Sequence, residues 1–187
     1  MSMQQSTPNR TEALELLQHG ELLQLGQWAN QIRRERHPGK QVTFVVDRNV
    51  NYTNICESRC SFCAFYREST ADDAYLLEHR TIFAKIEELV QHGGTQLLMQ
   101  GGLHPDLDLA YFEGLFREIR QRFPQVQNHS LSPAEICHLA DRHGLTIQQV
   151  LERLHAAGLA SVPGGGAEIL VDEVRQAISR SEEHTSE

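Results

Sequence analysis

Residues 51–67 read NYTNICESRCSFCAFYR and contain three of the chain's four cysteines, Cys56, Cys60 and Cys63. The C-x3-C-x2-C spacing allows three thiols to converge on one metal centre. A structural zinc site is usually closed by four ligands, commonly as two C-x2-C pairs or a Cys/His mixture, and this sequence has no second pair. Iron–sulfur clusters are normally held by cysteine thiolates, one for each iron. Three cysteines on a four-iron cluster would therefore leave one iron open to another ligand.

The composition is typical of a chain that buries one core. It has 187 residues, 40% of them hydrophobic, which suggests one domain or slightly more. The formal net charge of −8 at pH 7 argues against a nucleic-acid partner, since such a surface needs clustered Lys and Arg. No apolar run approaches the roughly 18 residues of a membrane span, and the first residues lack the pattern of a signal peptide. We therefore expect a cytoplasmic protein without a membrane span, in a compartment that keeps its cysteines reduced.

Two patterns precede the cysteine loop. Apolar residues recur at helical intervals from Thr11 to about Arg36 and are interrupted at His19-Gly20, which predicts two short helices. The β-branched and aromatic run from Val42 to Val46 predicts a buried strand that leads into the loop.

The rest of the chain alternates between helical and strand patterns. Strands are predicted at 96–99, 126–131 and 159–162, and helices from Thr81 to the glycines at 93–94, at 108–122, at 133–143, from Thr146 to Ala157, and from Asp172. Such alternation predicts βαβ units and a parallel sheet. Four βα units are half of an eightfold barrel, which typically needs about 250 residues. We therefore predict an α/β fold that forms the N-terminal half of a (β/α) barrel, after two short helices.

These patterns also suggest a division of the chain. A helical lead-in is expected at 1–40 and a truncated barrel core at 41–179. Residues 180–187 carry no helical apolar pattern and look like the translation of a sequencing adapter. We expect them to be an artefactual tail on the fragment of a longer protein, and we expect the fragment itself to be inactive.

The cysteine spacing, with the aromatic Phe62 directly before Cys63, resembles the radical S-adenosylmethionine (radical SAM) superfamily. The resemblance implies two cofactors, a [4Fe-4S] cluster held by Cys56, Cys60 and Cys63, and SAM on the open iron. In that family an electron from the cluster cleaves SAM to a 5′-deoxyadenosyl radical. The non-enzymatic alternative is a zinc-binding structural module.

Further motifs resemble a narrower family, the cyclic dehypoxanthinyl futalosine synthases (dehypoxanthine futalosine cyclases) of menaquinone biosynthesis. They lie at residues 46–54, 63–67, 93–96, 100–107, 129–133 and 163–169. The resemblance implies cyclisation of a small-molecule substrate, dehypoxanthine futalosine, with an electron donor that it does not identify. Aminofutalosine synthase and the deazaflavin (FO) synthase subunits share the cysteine motif and are the alternatives. The segment Gly94-Thr-Gln96 before Gln100-Gly-Gly102 favours the cyclase.

The resemblance also implies roles for single residues. Contacts to SAM are expected at Phe62, Tyr66, Gln100, Gly101, Gly102 and Glu168. Glycine is expected at 101 and 102 because a Cβ would block close approach to the backbone. Leu103 stands where the family pattern often has Glu, so only the backbone role carries over.

Candidates for substrate contact follow the second and third strands, where barrel enzymes place their chemistry. They are His104, His129 and Ser130. A turn around Pro105 is the structural alternative for His104. Ser132 is interpreted as a helix cap and Cys137 as a buried apolar residue.

Overall fold

The computed structural model describes residues 8–164 and 171–178, which form seven helices and three strands. The chain divides into two compact units between Phe44 and Val45. The first unit contains α1 (Arg10–His19) and α2 (Leu22–Arg36), and the second contains every described strand. The division that the sequence predicts after residue 40 and the assignment of 180–187 as a tail stay predictions.

The first unit confirms the two short helices. The Asn9 side chain accepts a hydrogen bond from the Glu12 amide, and the Glu12 carboxylate accepts one from the Asn9 amide, so α1 begins with a capping box. The helix ends before Gly20, where a Cβ would lie 2.4 Å from the carbonyl oxygen of Leu16. No residue of α1 or α2 is buried.

The second unit is organised on a parallel sheet, as predicted. Strands β1 (Asp47–Asn51), β2 (Gln96–Gln100) and β3 (Gln127–Ser130) pair in that order, with Asp47 opposite Gln96 and Gln96 opposite Gln127. Because the strands are parallel, the polypeptide leaves all three at the same edge. That edge carries the cysteine loop and the glycines that follow β2.

The prediction of the first strand at Val42–Val46 was wrong. That segment forms no strand and is exposed, and β1 begins only at Asp47. The residue types at 42–46 have high strand propensity. A strand also needs a neighbouring strand to pair with, and β2 starts only opposite Asp47. The Thr95 amide donates a hydrogen bond to the Val46 carbonyl at 3.1 Å, one residue before the pairing of β1 with β2 begins.

The predicted fourth strand is reduced to one bridge. Ser161 pairs with His129 of β3, and the Ala160 amide donates to the Asn128 carbonyl at 2.9 Å. The ladder does not continue because Pro163, two residues after Ser161, has no amide hydrogen to donate.

The helices of the second unit lie close to their predicted bounds. They are α3 (His79–Gln91), α4 (Leu109–Arg122), α5 (Pro133–His143), α6 (Ile147–Ala157) and α7 (Asp172–Ile178). Asp108, Ser132 and Thr146 cap α4, α5 and α6 through their side chains, which confirms Ser132 as a helix cap.

The core fills the space between the sheet and helices α3 to α6. Ile86 of α3, Leu97 of β2, and Leu115 and Phe116 of α4 are fully buried. Cys137 of α5 is only half-buried, so its prediction as a buried residue was wrong: the apolar residues that α5 buries are Ile136, Leu139 and Ala140. Within residues 8–164 and 171–178, no helix combines the length and the apolar content needed to cross a membrane.

A pair of isoleucine substitutions tests this core. We expect Ile86→Ala, at a fully buried position of α3, to lower the free energy of unfolding by about 2–5 kcal/mol because it leaves a cavity. Ile147→Ala, at a half-exposed position of α6, should change it by no more than about 0.5 kcal/mol. Urea unfolding followed by circular dichroism measures both, and equal losses would contradict the packing described.

Candidate metal centre

The three clustered cysteines lie on the loop between β1 and α3. Each is a half-buried thiol rather than part of a disulfide. The Cys63 amide donates to the Cys60 carbonyl at 3.1 Å, which makes a tight turn between these two residues. Arg59, with φ of 51°, adopts the left-handed conformation just before Cys60. The three thiols therefore follow β1 on one loop, with a turn between Cys60 and Cys63.

The sulfur atoms are not gathered into a finished ligand set. Among the described residues, no group of three or more His, Cys, Asp or Glu is arranged to hold a metal ion. The Cys60 sulfur lies 3.1 Å from the Ser58 hydroxyl. Burial raises the pKa of the Cys56 thiol, and the neighbouring Cys60 raises it further. Bringing three thiolates together costs electrostatic energy that a bound cation offsets.

Cys56 is the best-positioned of the three thiols. Its sulfur accepts a hydrogen bond from the Leu103 amide at 3.3 Å, and the Glu57 amide donates to the Leu103 carbonyl at 3.0 Å. The amide favours the thiolate, and hydrogen bonds to sulfur also tune iron–sulfur clusters. Three reduced thiols on one loop, one of them already an acceptor from a backbone amide, fit a cysteine-held cluster.

The glycines after β2 lie against this loop. A Cβ on Gly101 would lie 2.6 Å from the ring of Tyr52, and one on Gly102 would lie 2.2 Å from the Ile55 carbonyl oxygen and 2.6 Å from the Cys56 Cβ. Packing within the protein itself therefore requires glycine at both positions. The backbone after β2 can pass beneath the first cysteine only if both positions lack side chains.

The residues just before the cysteines fasten the loop to residues 73–77. The Thr53 hydroxyl donates to the Tyr75 carbonyl at 2.7 Å. The Asn54 amide group donates to the Asp73 carbonyl at 2.9 Å and accepts from the Tyr75 amide at 2.8 Å. Sequence reasoning gave these residues no individual role, although two buried polar side chains directly before a metal motif are a usable signal.

Arg67 closes the loop at its other end. Its side chain donates to the carbonyls of Ala64 and Tyr66 at 3.0 and 2.8 Å and forms an ion pair with Asp73 at 2.7 Å. Its backbone accepts from the Cys56 amide at 3.2 Å. One residue thereby holds the segment after Cys63 to the residue that begins the cysteine motif.

The buried pair Tyr52 and Glu135 supports the other side of the glycines. The Tyr52 hydroxyl donates to Oε1 of Glu135 at 2.7 Å, and the Gly101 amide donates to the same oxygen at 3.3 Å. Burial raises the pKa of Glu135 to about 7, against the lowering effect of the Tyr52 hydroxyl. Burial also raises the pKa of Tyr52 well above its usual range. The sequence offered no signal for this pair, because its members are far apart in the chain.

The expected SAM contacts are only partly brought together. Phe62 is 49% exposed at the loop's tip, and Tyr66 is half-buried. Gln100, Gly101 and Gly102 form one continuous, half-buried stretch beside Cys56. Glu168 lies outside the described residues.

The three substrate candidates differ in accessibility. His104 is buried, and its Nδ1 accepts from the Asp106 amide at 3.1 Å, which is the turn structure given as its alternative. Burial lowers the pKa of His104. Ser130 is fully buried and its hydroxyl donates to Asn128. His129 is half-buried, and its Nδ1 lies 2.7 Å from the Ser161 hydroxyl.

Comparison with known proteins connects this geometry to a family. The model of the radical SAM superfamily matches residues 50–186. A cyclic dehypoxanthine futalosine synthase of Halalkalibacterium halodurans is 47% identical over 169 residues, which cover 90% of this chain and 46% of the relative. A 5-amino-6-(D-ribitylamino)uracil–L-tyrosine 4-hydroxyphenyl transferase of Thermosynechococcus vestitus is 46% identical over 162 residues, covering 84% and 41%. The chain thus spans less than half the length of these relatives.

A solved structure shares the fold. Methylornithine synthase superposes with a TM-score of 0.58 over 86% of this chain and 56% of the other, at 15% sequence identity. At that identity the similarity shows the arrangement of strands and helices and nothing about the substrate.

A pair of glycine substitutions tests the close approach at the site. Gly102→Ala should lower the free energy of unfolding by about 1–3 kcal/mol, because its Cβ overlaps the backbone at Ile55. Gly114→Ala, inside α4 with no atom within 4 Å of the added Cβ, should raise it by about 0.4–1 kcal/mol. Urea unfolding measures both. A neutral Gly102→Ala would contradict the placement of β2's end beneath Cys56.

Proposed function

This chain belongs to the radical SAM superfamily, and from that membership we propose that Cys56, Cys60 and Cys63 hold a [4Fe-4S] cluster with one iron open to SAM. Members of the superfamily use this cluster and SAM. The observation that supports the assignment most directly is the loop itself: three half-buried thiols at C-x3-C-x2-C spacing, with the Cys56 sulfur already accepting an amide hydrogen bond.

The residues of this chain would have distinct tasks in that site. The three cysteines supply sulfur ligands, and Arg67, Thr53 and Asn54 hold the ends of the loop that carries them. When bound, the cluster and SAM supply a 5′-deoxyadenosyl radical that abstracts hydrogen from the substrate. The protein contributes orientation and the exclusion of water.

We assign the SAM contacts to the surface beside the cluster loop. The exposed ring of Phe62 is accessible to an aromatic base, and Tyr66 lies on the same loop. The stretch from Gln100 to Gly102 offers backbone groups that no side chain covers at the two glycines. Glu168 remains part of this proposal through its place after the glycine run.

For the reaction, we propose cyclisation of dehypoxanthine futalosine in menaquinone biosynthesis. The futalosine cyclases of H. halodurans and Streptomyces coelicolor are 47% and 39% identical to this chain. Gly94-Thr-Gln96 and Gln100-Gly-Gly102 support this choice over the alternatives. Among the substrate candidates we favour His129, because it is the least buried of the three.

A second candidate is transfer of a 4-hydroxyphenyl group from tyrosine. The T. vestitus transferase is 46% identical to this chain, so overall identity separates the two reactions by a single percentage point. Both reactions use the same cluster and SAM chemistry in this superfamily. They differ in the substrate, which must therefore be tested directly.

The first test of the proposal is the metal content. Anaerobic reconstitution with iron and sulfide should give a four-iron cluster, and Cys56→Ala, Cys60→Ala and Cys63→Ala should each lower the iron content, since each removes one ligand. Cys137→Ala, the matched control, should leave it unchanged. Iron analysis and visible absorbance measure the result. A full cluster in Cys60→Ala, or zinc in place of iron, would reject the assignment.

The second test measures substrate binding rather than turnover, because the chain covers less than half the length of its relatives. The reduced, SAM-loaded protein is titrated with dehypoxanthine futalosine, with a chorismate-derived enol ether, and with tyrosine plus 5-amino-6-(D-ribitylamino)uracil. We expect only the first to change the electron paramagnetic resonance (EPR) signal of the cluster, because only a substrate held beside the cofactors perturbs it. A response to the tyrosine mixture alone would favour the transferase.

A further inference from the structure

Glu135 is a buried acid to which the proposed chemistry gives no task. It lies in the first turn of α5 and is 3% exposed. Its Oε1 accepts from the Tyr52 hydroxyl and the Gly101 amide. Its Oε2 is also buried and makes no hydrogen bond of good geometry, although the side chain and backbone of Ser132 lie close enough to lower the pKa of the carboxyl group. Burying a carboxyl group costs free energy unless its oxygens are hydrogen-bonded, so both oxygens require an explanation.

A small cavity explains the second oxygen. It has a volume of about 10 Å³ and is lined by Glu135 and His138, together with Tyr52, Gly102 and His104. His138 makes a hydrogen bond to the His104 backbone through one ring nitrogen, while its buried Nε2 has no protein partner. This volume suits one water molecule. Such a water would bind both Oε2 of Glu135 and Nε2 of His138.

The contacts of Glu135 lead directly to a cysteine. The carboxylate holds the Gly101 amide, and the Tyr52 hydroxyl that binds it lies 3.4 Å from the Gly102 carbonyl. On the opposite side, the same backbone touches the first cysteine: Gly102 leaves no room for a Cβ against Cys56, and the Leu103 amide donates to the Cys56 sulfur. The segment 101–103 is therefore held between the buried acid and the cysteine loop.

We propose that Glu135 is a positioning residue, which, with one water shared with His138, fixes the backbone of residues 101–103 and thereby places the Cys56 sulfur. The inference rests on the proposed function, since it assigns Cys56 to a cluster. Glu135 acts through the backbone and does not touch the cluster ligands itself. Outer partners of this kind change metal affinity when they are removed.

The experiment compares two substitutions of Glu135 in the reconstituted protein. Glu135→Leu removes both acceptor oxygens and should increase the rate of iron loss to a chelator by about 10-fold, the lower end of the effect of outer-shell partners. It should also change the EPR signal of the reduced cluster. Glu135→Gln keeps an acceptor for Gly101 and Tyr52 and should restore both properties most of the way.

A matched acid separates positioning from stability. Glu113 of α4 is 9% exposed and pairs with Arg117 of α4 and Arg153 of α6 rather than with the backbone of residues 101–103. Glu113→Leu should destabilise the protein and leave the EPR signal unchanged. If Glu135→Leu does not fold, Tyr52→Phe decides, because it removes one hydroxyl from the same contact. We expect Tyr52→Phe to change the EPR signal of the reduced cluster, and an unchanged signal would overturn the inference.

The remaining outcomes distinguish failure of the positioning role of Glu135 from failure of the cluster assignment. If Cys56→Ala abolishes the cluster but Glu135→Leu keeps the wild-type EPR signal and rate of iron loss, the positioning role is wrong and the cluster assignment stands. If Cys56→Ala keeps the cluster, the proposed function fails first, and this inference fails with it. Loss of the signal in Glu135→Gln equal to that in Glu135→Leu would also overturn the inference, because the acceptor would then have no effect.

Discussion

The close approach of Gly102 to Ile55 and Cys56 is the constraint on which the site depends. A distance of 2.2 Å from an added Cβ to a backbone oxygen leaves no space for any other residue. The contact joins the end of β2 to the loop that follows β1, and those two strands are neighbours in a parallel sheet. The sheet therefore fixes where the first cysteine lies, while the second and third cysteines depend on the turn between Cys60 and Cys63.

Side-chain hydrogen bonds anchor both ends of the cysteine loop. Its anchors are the side chains of Tyr52, Thr53, Asn54 and Arg67, each bonded to backbone or to an acid elsewhere in the fold. Each such bond contributes about 0.5–1.5 kcal/mol net, but leaving its partner buried and unsatisfied costs more. The arrangement keeps both ends of the loop in place and leaves the thiols partly accessible, as a site that receives a metal cluster requires.

Much of this fold follows from local sequence signals. The helices after Asp108, Ser132 and Thr146 begin where capping residues predict, and β2 follows its glycine turn. The first strand was misplaced because the apolar run at Val42–Val46 has strand propensity but no partner, and pairing is a property of two segments. The contact between Tyr52 and Glu135 joins residues 83 positions apart, so no local pattern could reveal it. The cysteine spacing was visible from the sequence because all three cysteines lie within eight residues of the chain.

The central claim is that three cysteines leave one iron of the cluster open for SAM. Electron–nuclear double resonance (ENDOR) on the reduced, reconstituted protein tests it most directly, with SAM labelled by nitrogen-15 at its amino group or by oxygen-17 at its carboxylate. The account predicts a hyperfine coupling from each label, because both groups would bind the open iron. A four-iron cluster that depends on Cys56, Cys60 and Cys63 but shows no coupling to either label would contradict the account.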